Sequence, residues 1–203
     1  MMRLDHLALS ALTLEDGVAH VEAALGVRLA PGGQHPHMAT HNRLLGLGDV
    51  YLEVIAPDPS ARHPAWPRWF DLDRFSGAPR LTNWVAACDD LAAELAAGPE
   101  GLGLPVALSR GDLRWTMAVP PTGRLPFDGA FPALIQWESD VHPVQRLPDS
   151  GLRLLRLDIV HPQATALRKA LSGRLQDTRV VIVQGPEKAL QASFSTPAGT
   201  RRL

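Results

Sequence analysis

His6 and Glu53 are ionisable side chains set inside otherwise apolar runs, LDHLAL and YLEVIA. An imidazole titrates near neutral pH and can move a proton or ligate a metal, and a carboxylate can take a proton or hold a cation. His35, His37 and His41 share HxHxxxH spacing. The prolines and the turn expected at Pro31–Gly33 argue against three imidazoles converging on one ion there. Arg110 and Arg114 offer guanidinium groups that pair in two-pronged fashion with a carboxylate. Trp115, beside Arg114 in GDLRW, is a candidate cavity wall, while Trp84 and Trp137 read as core. Cys88 ends an apolar run just before a helix with no positioned histidine, so inert burial is expected. GxGxxG, P-loop and GxSxG patterns do not occur in the sequence, so a nucleotide cofactor and a serine hydrolase lack support.

The elements that must carry these residues can be read from periodicity. Leu4–Ala11 has strand length. Thr13 with Asp16 three places on approximates a capping box, and Val18, Val21, Ala24 and Leu25 recur at helical spacing up to Gly26. Thr40–Leu47 and Val50–Ala56 then read as a hairpin around Gly48-Asp49. A short extra strand is expected near Val27–Ala30. The stretch Pro57–Pro79 is too proline-rich for a helix and, with Trp66, Trp69 and Phe70, too aromatic for a free linker. The order then restarts. Leu81–Cys88 is strand-like, Asp89 is placed to cap the helix of DDLAAELAAG, and Val106–Leu108, Leu113–Val119 and Ala133–Trp137 are three more strands. A third, shorter unit begins at Leu152–Val160, with Pro162 suited to the first helical position, and ends with Arg179–Gln184 and Ala189–Ser195. Residues 81–138 thus repeat the order of residues 4–56, and such repetition governs the fold.

Composition bounds the rest. The chain has 203 residues, 45% hydrophobic and 20% charged, with 20 Lys plus Arg against 21 Asp plus Glu. That balance supplies no basic field for nucleic acid or anionic lipid, and the apolar runs are too short for a membrane span. One cysteine excludes an internal disulfide framework and a CxxC site. A cytoplasmic protein is the default expectation, with a small-molecule partner, no nucleic acid and no membrane.

LDHLAL, the stretch GGQHPHMATHNRLLGLGDVYLEVIAPDP, then GDLRW, PALIQW and His142-Pro143 together resemble the glyoxalase-like branch of the vicinal oxygen chelate superfamily, over roughly residues 4–143. The resemblance implies an α+β fold: paired βαβββ modules, about 1–56 and 81–143, forming a curved, half-open barrel sheet around a central cavity. These would make a domain over 1–147, and 148–203 would add a C-terminal βαββ extension. Members often hold one divalent ion (Zn, Ni, Mn or Fe) through the first and last strands of each module. Carried over, His6 and Glu53 come from the first module. Aligning LDHLAL with LTNWVA puts Asn83 at the place of His6, and aligning YLEV with LIQW puts Gln136 at the place of Glu53. The expected metal set is therefore His6, Glu53 and Gln136, with neutral amides as weaker donors than the family pattern. Glu138 shares a strand face with Gln136 and joins His6 and Glu53 as an expected catalytic group. His35 and Asn42 match the GGxH and TxN positions, and with Arg114, Trp115 and Gln136 form the expected substrate contacts. The implied function is binding of a small oxygenated or carbonyl compound by a lyase-, isomerase- or dioxygenase-type enzyme. The amides at Asn83 and Gln136 are what a non-catalytic sequestering protein predicts instead. A homodimer is expected.

Overall fold

The computed structural model describes all 203 residues. In chain order the elements are β1 (Met2–Ser10), α1 (Leu14–Leu25), β2 (Ala30–His35), β3 (Thr40–Gly46), β4 (Tyr51–Pro57), β5 (Arg80–Cys88), α2 (Leu91–Ala97), β6 (Leu104–Arg110), β7 (Leu113–Val119), β8 (Ala133–Trp137), β9 (Arg153–His161), α3 (Ala164–Leu171), β10 (Val180–Gln184), β11 (Ala189–Thr196) and β12 (Gly199–Arg202). No helix is long and apolar enough to cross a membrane.

The first eight strands form one sheet in the order β2-β3-β4-β1-β5-β8-β7-β6. Each half is a βαβββ module in which the last strand returns parallel to the first, β4 beside β1 and β8 beside β5. Antiparallel pairing of β1 with β5 joins the modules within one chain, so the expected curved half-barrel is the observed fold. The sheet curls until its outer strands approach, and the side chain of Arg110 at the end of β6 lies against Gly33 of β2.

Local chemistry fixes the helices on the convex side. Thr13 Oγ1 accepts the Asp16 N–H at the start of α1, and Gly26 ends it in the left-handed region at φ 72°. A Cβ on Gly17 would come within 2.6 Å of Val54 Cγ1, so glycine lets α1 close onto β4. The cap of α2 is Asp90, one residue later than the sequence suggests, because Asp89 is turned outward to Arg3. Pro31–Gly33 is part of β2 and not a free turn: the β2–β3 register slips between Pro31 and Gln34, a bulge that absorbs both glycines.

The C-terminal unit is βαβββ rather than βαββ, with β12 adding a hairpin to β11. It is not a third module, because β10 returns directly beside β9 to give the order β10-β9-β11-β12. Strand β11 packs on β5, and Leu157, Ile159, Leu190 and Phe194 join a single core of 45 buried residues with the main sheet. Arg174 clamps the unit to α2 through Glu94, at 2.7 Å.

Candidate functional site

The concave faces of both modules border a narrow cavity with about 30 Å³ of open space, lined by His6, Asn42 and Glu53 on one side and Arg110, Trp115 and Ile135 on the other. Strand alternation aims His6 on β1 and Glu53 on β4 into it, since Leu7 and Val54 between them are buried toward α1. His6 Nε2 lies 3.6 Å from Glu53 Oε2.

Asp5 breaks that alternation. The β1–β5 register slips between Leu4 and His6, and at this bulge the buried Asp5 carboxylate reaches its neighbour's ring. Its Oδ1 is 2.6 Å from His6 Nδ1. Its Oδ2 accepts Trp137 Nε1–H at 2.9 Å and lies 2.9 Å from His142 Nε2. The result is a buried chain Asp5–His6–Glu53. Burial alone would lower the His6 pKa, but hydrogen bonds and charge from Asp5 and Glu53 outweigh it and hold the imidazolium form. Burial would likewise raise Asp5 and Glu53, and their histidine partners instead hold both well below the usual carboxylate range.

Asn42 organises the opposite wall. Its Nδ2 donates to Glu53 Oε1 at 2.6 Å, and its Oδ1 accepts Gly33 N–H at 2.7 Å and Arg110 Nη1–H at 3.4 Å. The double glycine is what permits this. A Cβ on Gly32 would overlap the Asn42 carbonyl, and one on Gly33 would come within 2.6 Å of Arg110 Cδ. His35 is buried against Thr40 Oγ1 at 3.2 Å. Desolvation, with positive charge from Arg110 and His6, lowers its pKa to about 4, so it is neutral near pH 7. Tyr51 stacks on His6 with ring centroids 4.4 Å apart. Trp69, from the proline-rich connection, lines the cavity, and its buried Nε1–H has no acceptor.

Of the residues singled out from sequence, the structure brings together His6, Glu53, His35, Asn42 and Trp115. Four others stand elsewhere. The cavity-facing residues of β8 are Ile135 and Trp137, so Gln136 and Glu138 fall on the other face. Gln136 Oε1 accepts the Leu91 N–H at the start of α2, and Glu138 Oε1 accepts from Thr116 Oγ1 on the surface. Arg114 is exposed, and Arg110 across the β6–β7 hairpin supplies the cavity guanidinium. His37 stacks on Trp66, away from the cavity. Asp5, Tyr51, Trp69, Phe70 and His142 carried no sequence signal as site residues. The bulge at Asp5 is invisible to a period of two.

The same register decides how a divalent ion fits. The β5 residue directly opposite His6 is Val85, which in turn pairs with Ala133, while Asn83 lies opposite Ala8 and donates to Gly129 O at 3.4 Å. Around His6 and Glu53 the second module presents Trp115, Met117, Ile135 and Trp137, with Arg110 as its one charged group. His6 and Glu53 are only two donors, a guanidinium stands on the adjoining amide, and no group of three His, Cys, Asp or Glu side chains converges here, so the residues present do not make a divalent site.

Residues 4–175 match the glyoxalase-like domain family. The crystal structure of a hypothetical protein from Staphylococcus aureus is similar over 93% of this chain and 88% of its own, at 13% identity and TM-score 0.62. A variant of methylmalonyl-CoA epimerase from Streptomyces coelicolor, in complex with 2-nitronate-propionyl-CoA, covers 70% of this chain and 99% of its own at 14% identity and TM-score 0.45. The Mycobacterium tuberculosis methylmalonyl-CoA epimerase covers 66% and 85% at 18% identity and TM-score 0.42. No curated protein sequence matches this chain significantly. With the family matched over most of its length and both modules folded into one half-barrel, the chain belongs to the glyoxalase-like domain family.

Proposed function

We propose that the protein is an isomerase- or lyase-type enzyme that moves a proton on the carbon beside the carbonyl of a small oxygenated compound. The observation that carries this reading is the buried Asp5–His6–Glu53 chain facing Arg110 across one small cavity. Glu53 is the base, kept ionised by His6 and Asn42. Arg110 and the His6 imidazolium stabilise the negative charge that grows on the substrate oxygen, which acidifies the carbon to be deprotonated. Asp5 is a positioning residue that fixes the His6 ring. Trp69 Nε1–H and neutral His35 are free to bind a further oxygen. No step passes through a metal, because the second module adds Arg110 and apolar or aromatic groups to the cavity and no third donor beside His6 and Glu53.

Deuterium exchange tests this without knowledge of the product. Pyruvate, 2-oxobutyrate, hydroxyacetone and methylglyoxal are incubated in D2O and followed by ¹H NMR. Catalysed loss of a C–H signal is expected for the wild type, undiminished by EDTA, abolished by Glu53→Gln and reduced by Arg110→Met. The apolar wall of Met117, Ile135 and Trp137 favours a second reading, a sequestering protein. Tight binding, by Trp fluorescence, with no exchange for any bound compound would select that reading and remove the first.

A further inference from the structure

A second cavity lies behind the first, with Phe70 forming part of both walls. The C-terminal unit borders it through Lys188, which reaches in and hydrogen-bonds the Thr82 carbonyl of β5. Four cations face this space, Arg74, Arg80, Arg124 and Lys188, against two anions, Asp71 and Asp128. The two anions are already engaged: Asp71 pairs with Arg74 at 2.5 Å and Arg124 at 3.6 Å, and Asp128 with Arg124 at 3.5 Å.

Arg80 and Lys188 have no carboxylate partner. Arg80 is held in shape by the carbonyls of Ser76 and Ala78, at 2.7 and 3.1 Å, and by the Phe75 ring at 4.4 Å. Lys188 is half-buried, with a lone carbonyl as acceptor. Desolvation, and then the charge of Arg80, lowers its pKa to about 8. Asp71 and Asp128 act on Lys188 only from a distance, and a cation drawn out of water without a direct carboxylate partner is costly to keep. The backbone around it is strained as well. Phe70–Asp71 and Phe127–Asp128 are two Phe-Asp pairs in the left-handed region, at φ 58°, 57°, 54° and 53°. Bulky residues avoid that region, and strain held this way gathers at ligand sites. Gly129 adds room, since a Cβ there would come within 2.7 Å of Asn83 Nδ2 and 3.4 Å of Lys188 Nζ.

We propose that this cavity is a binding site for a small doubly charged oxyanion, phosphate or the phosphate group of an ester, held between Arg80 of the barrel and Lys188 of the C-terminal unit. Two cations without a carboxylate partner match a dianion, and the C-terminal unit gains a role as the source of one of them. The assignment is independent of the proton-transfer reading, since it shares none of Asp5, His6, Glu53 or Arg110.

Isothermal titration with inorganic phosphate and with glycerol 3-phosphate, at matched ionic strength, tests it on the full chain. Saturable binding of one anion per chain is expected, with a sodium acetate control giving none. Loss of one charge-assisted hydrogen bond weakens such binding by about tenfold or more. That weakening is expected for Lys188→Met and separately for exposed Arg80→Gln, while Glu53→Gln binds as the wild type does. Tighter binding of the ester assigns the site to a phosphorylated compound, and tighter binding of phosphate assigns it to the free anion. Absence of saturable heat with both, or variants that bind as tightly as the wild type, overturns the proposal.

Discussion

Replacing His6 by Gln isolates the energetic worth of the buried charge chain. The His6 pKa is raised to about 9, against an ordinary 6.5, by two carboxylates that outweigh its burial. A rise of that size amounts to about 3 kcal/mol of preference for the imidazolium in the folded state. The sign follows from the folded value lying above the unfolded one. The contribution is complete below about pH 6.5 and disappears as pH rises through about 9. Lys188 acts in the opposite sense. Its folded pKa of about 8 lies below the ordinary value of 10.5, so its penalty is full below about pH 8 and fades above it. Subtracting the His6→Gln curve from the wild-type curve removes that background; in the variant the partner that holds Asp5 and Glu53 low is gone and burial moves both up, which alters the difference curve on its acid side. Urea unfolding measured across this range is therefore expected to show a wild-type advantage that shrinks by about 3 kcal/mol between pH 6 and pH 10. NMR of the imidazole should place its titration well above neutrality. A difference curve flat with pH, or a His6 that titrates near 6.5, refutes the chain.

Gly33→Ala is expected to leave the fold intact and expel Arg110, because the new Cβ would come within 2.6 Å of its Cδ; ligand affinity in the first cavity should fall about tenfold, read by Trp fluorescence, with an unchanged circular dichroism spectrum. We also propose that residues 1–147 and 148–203 unfold as one unit through their shared core. Phe194→Ala at that junction should then cost about 3–5 kcal/mol in a single urea transition, whereas two resolved transitions would separate the units.

Much of the architecture was legible because each module carries its own punctuation. Thr13 and Gly26 bound α1, and Gly48 at φ 94° turns β3 into β4. His6, Glu53 and Asn42 were legible as a set because their motif keeps each side chain on an inward strand position. The second module was harder to read. Its last strand is a short apolar run in which Ile135, Gln136 and Trp137 offer no polar alternation to fix the face, so aligning YLEV with LIQW put the amide inside and the indole outside, the reverse of the structure. The arginine inside is Arg110 for a related reason, since a hairpin of two-sided strands does not declare which strand faces in. Asp5 escaped because a bulge violates the period that sequence reading assumes, and Lys188 because it meets the barrel only through a strand more than one hundred residues beyond Thr82.

Arg110 sits at the end of β6, the outermost strand, which is bonded on one side to β7 and exposed along much of its length. The half-barrel therefore behaves as a clasp, delivering positive charge to the first cavity only when its two rims meet at Gly33 and Asn42. Fraying of β6 breaks a single ladder and leaves the 45-residue core untouched. A molecule in that state is folded by every global measure and yet has lost its guanidinium. Heat should accordingly silence the first cavity several degrees before the chain melts, and a tether across the two rims should close that gap.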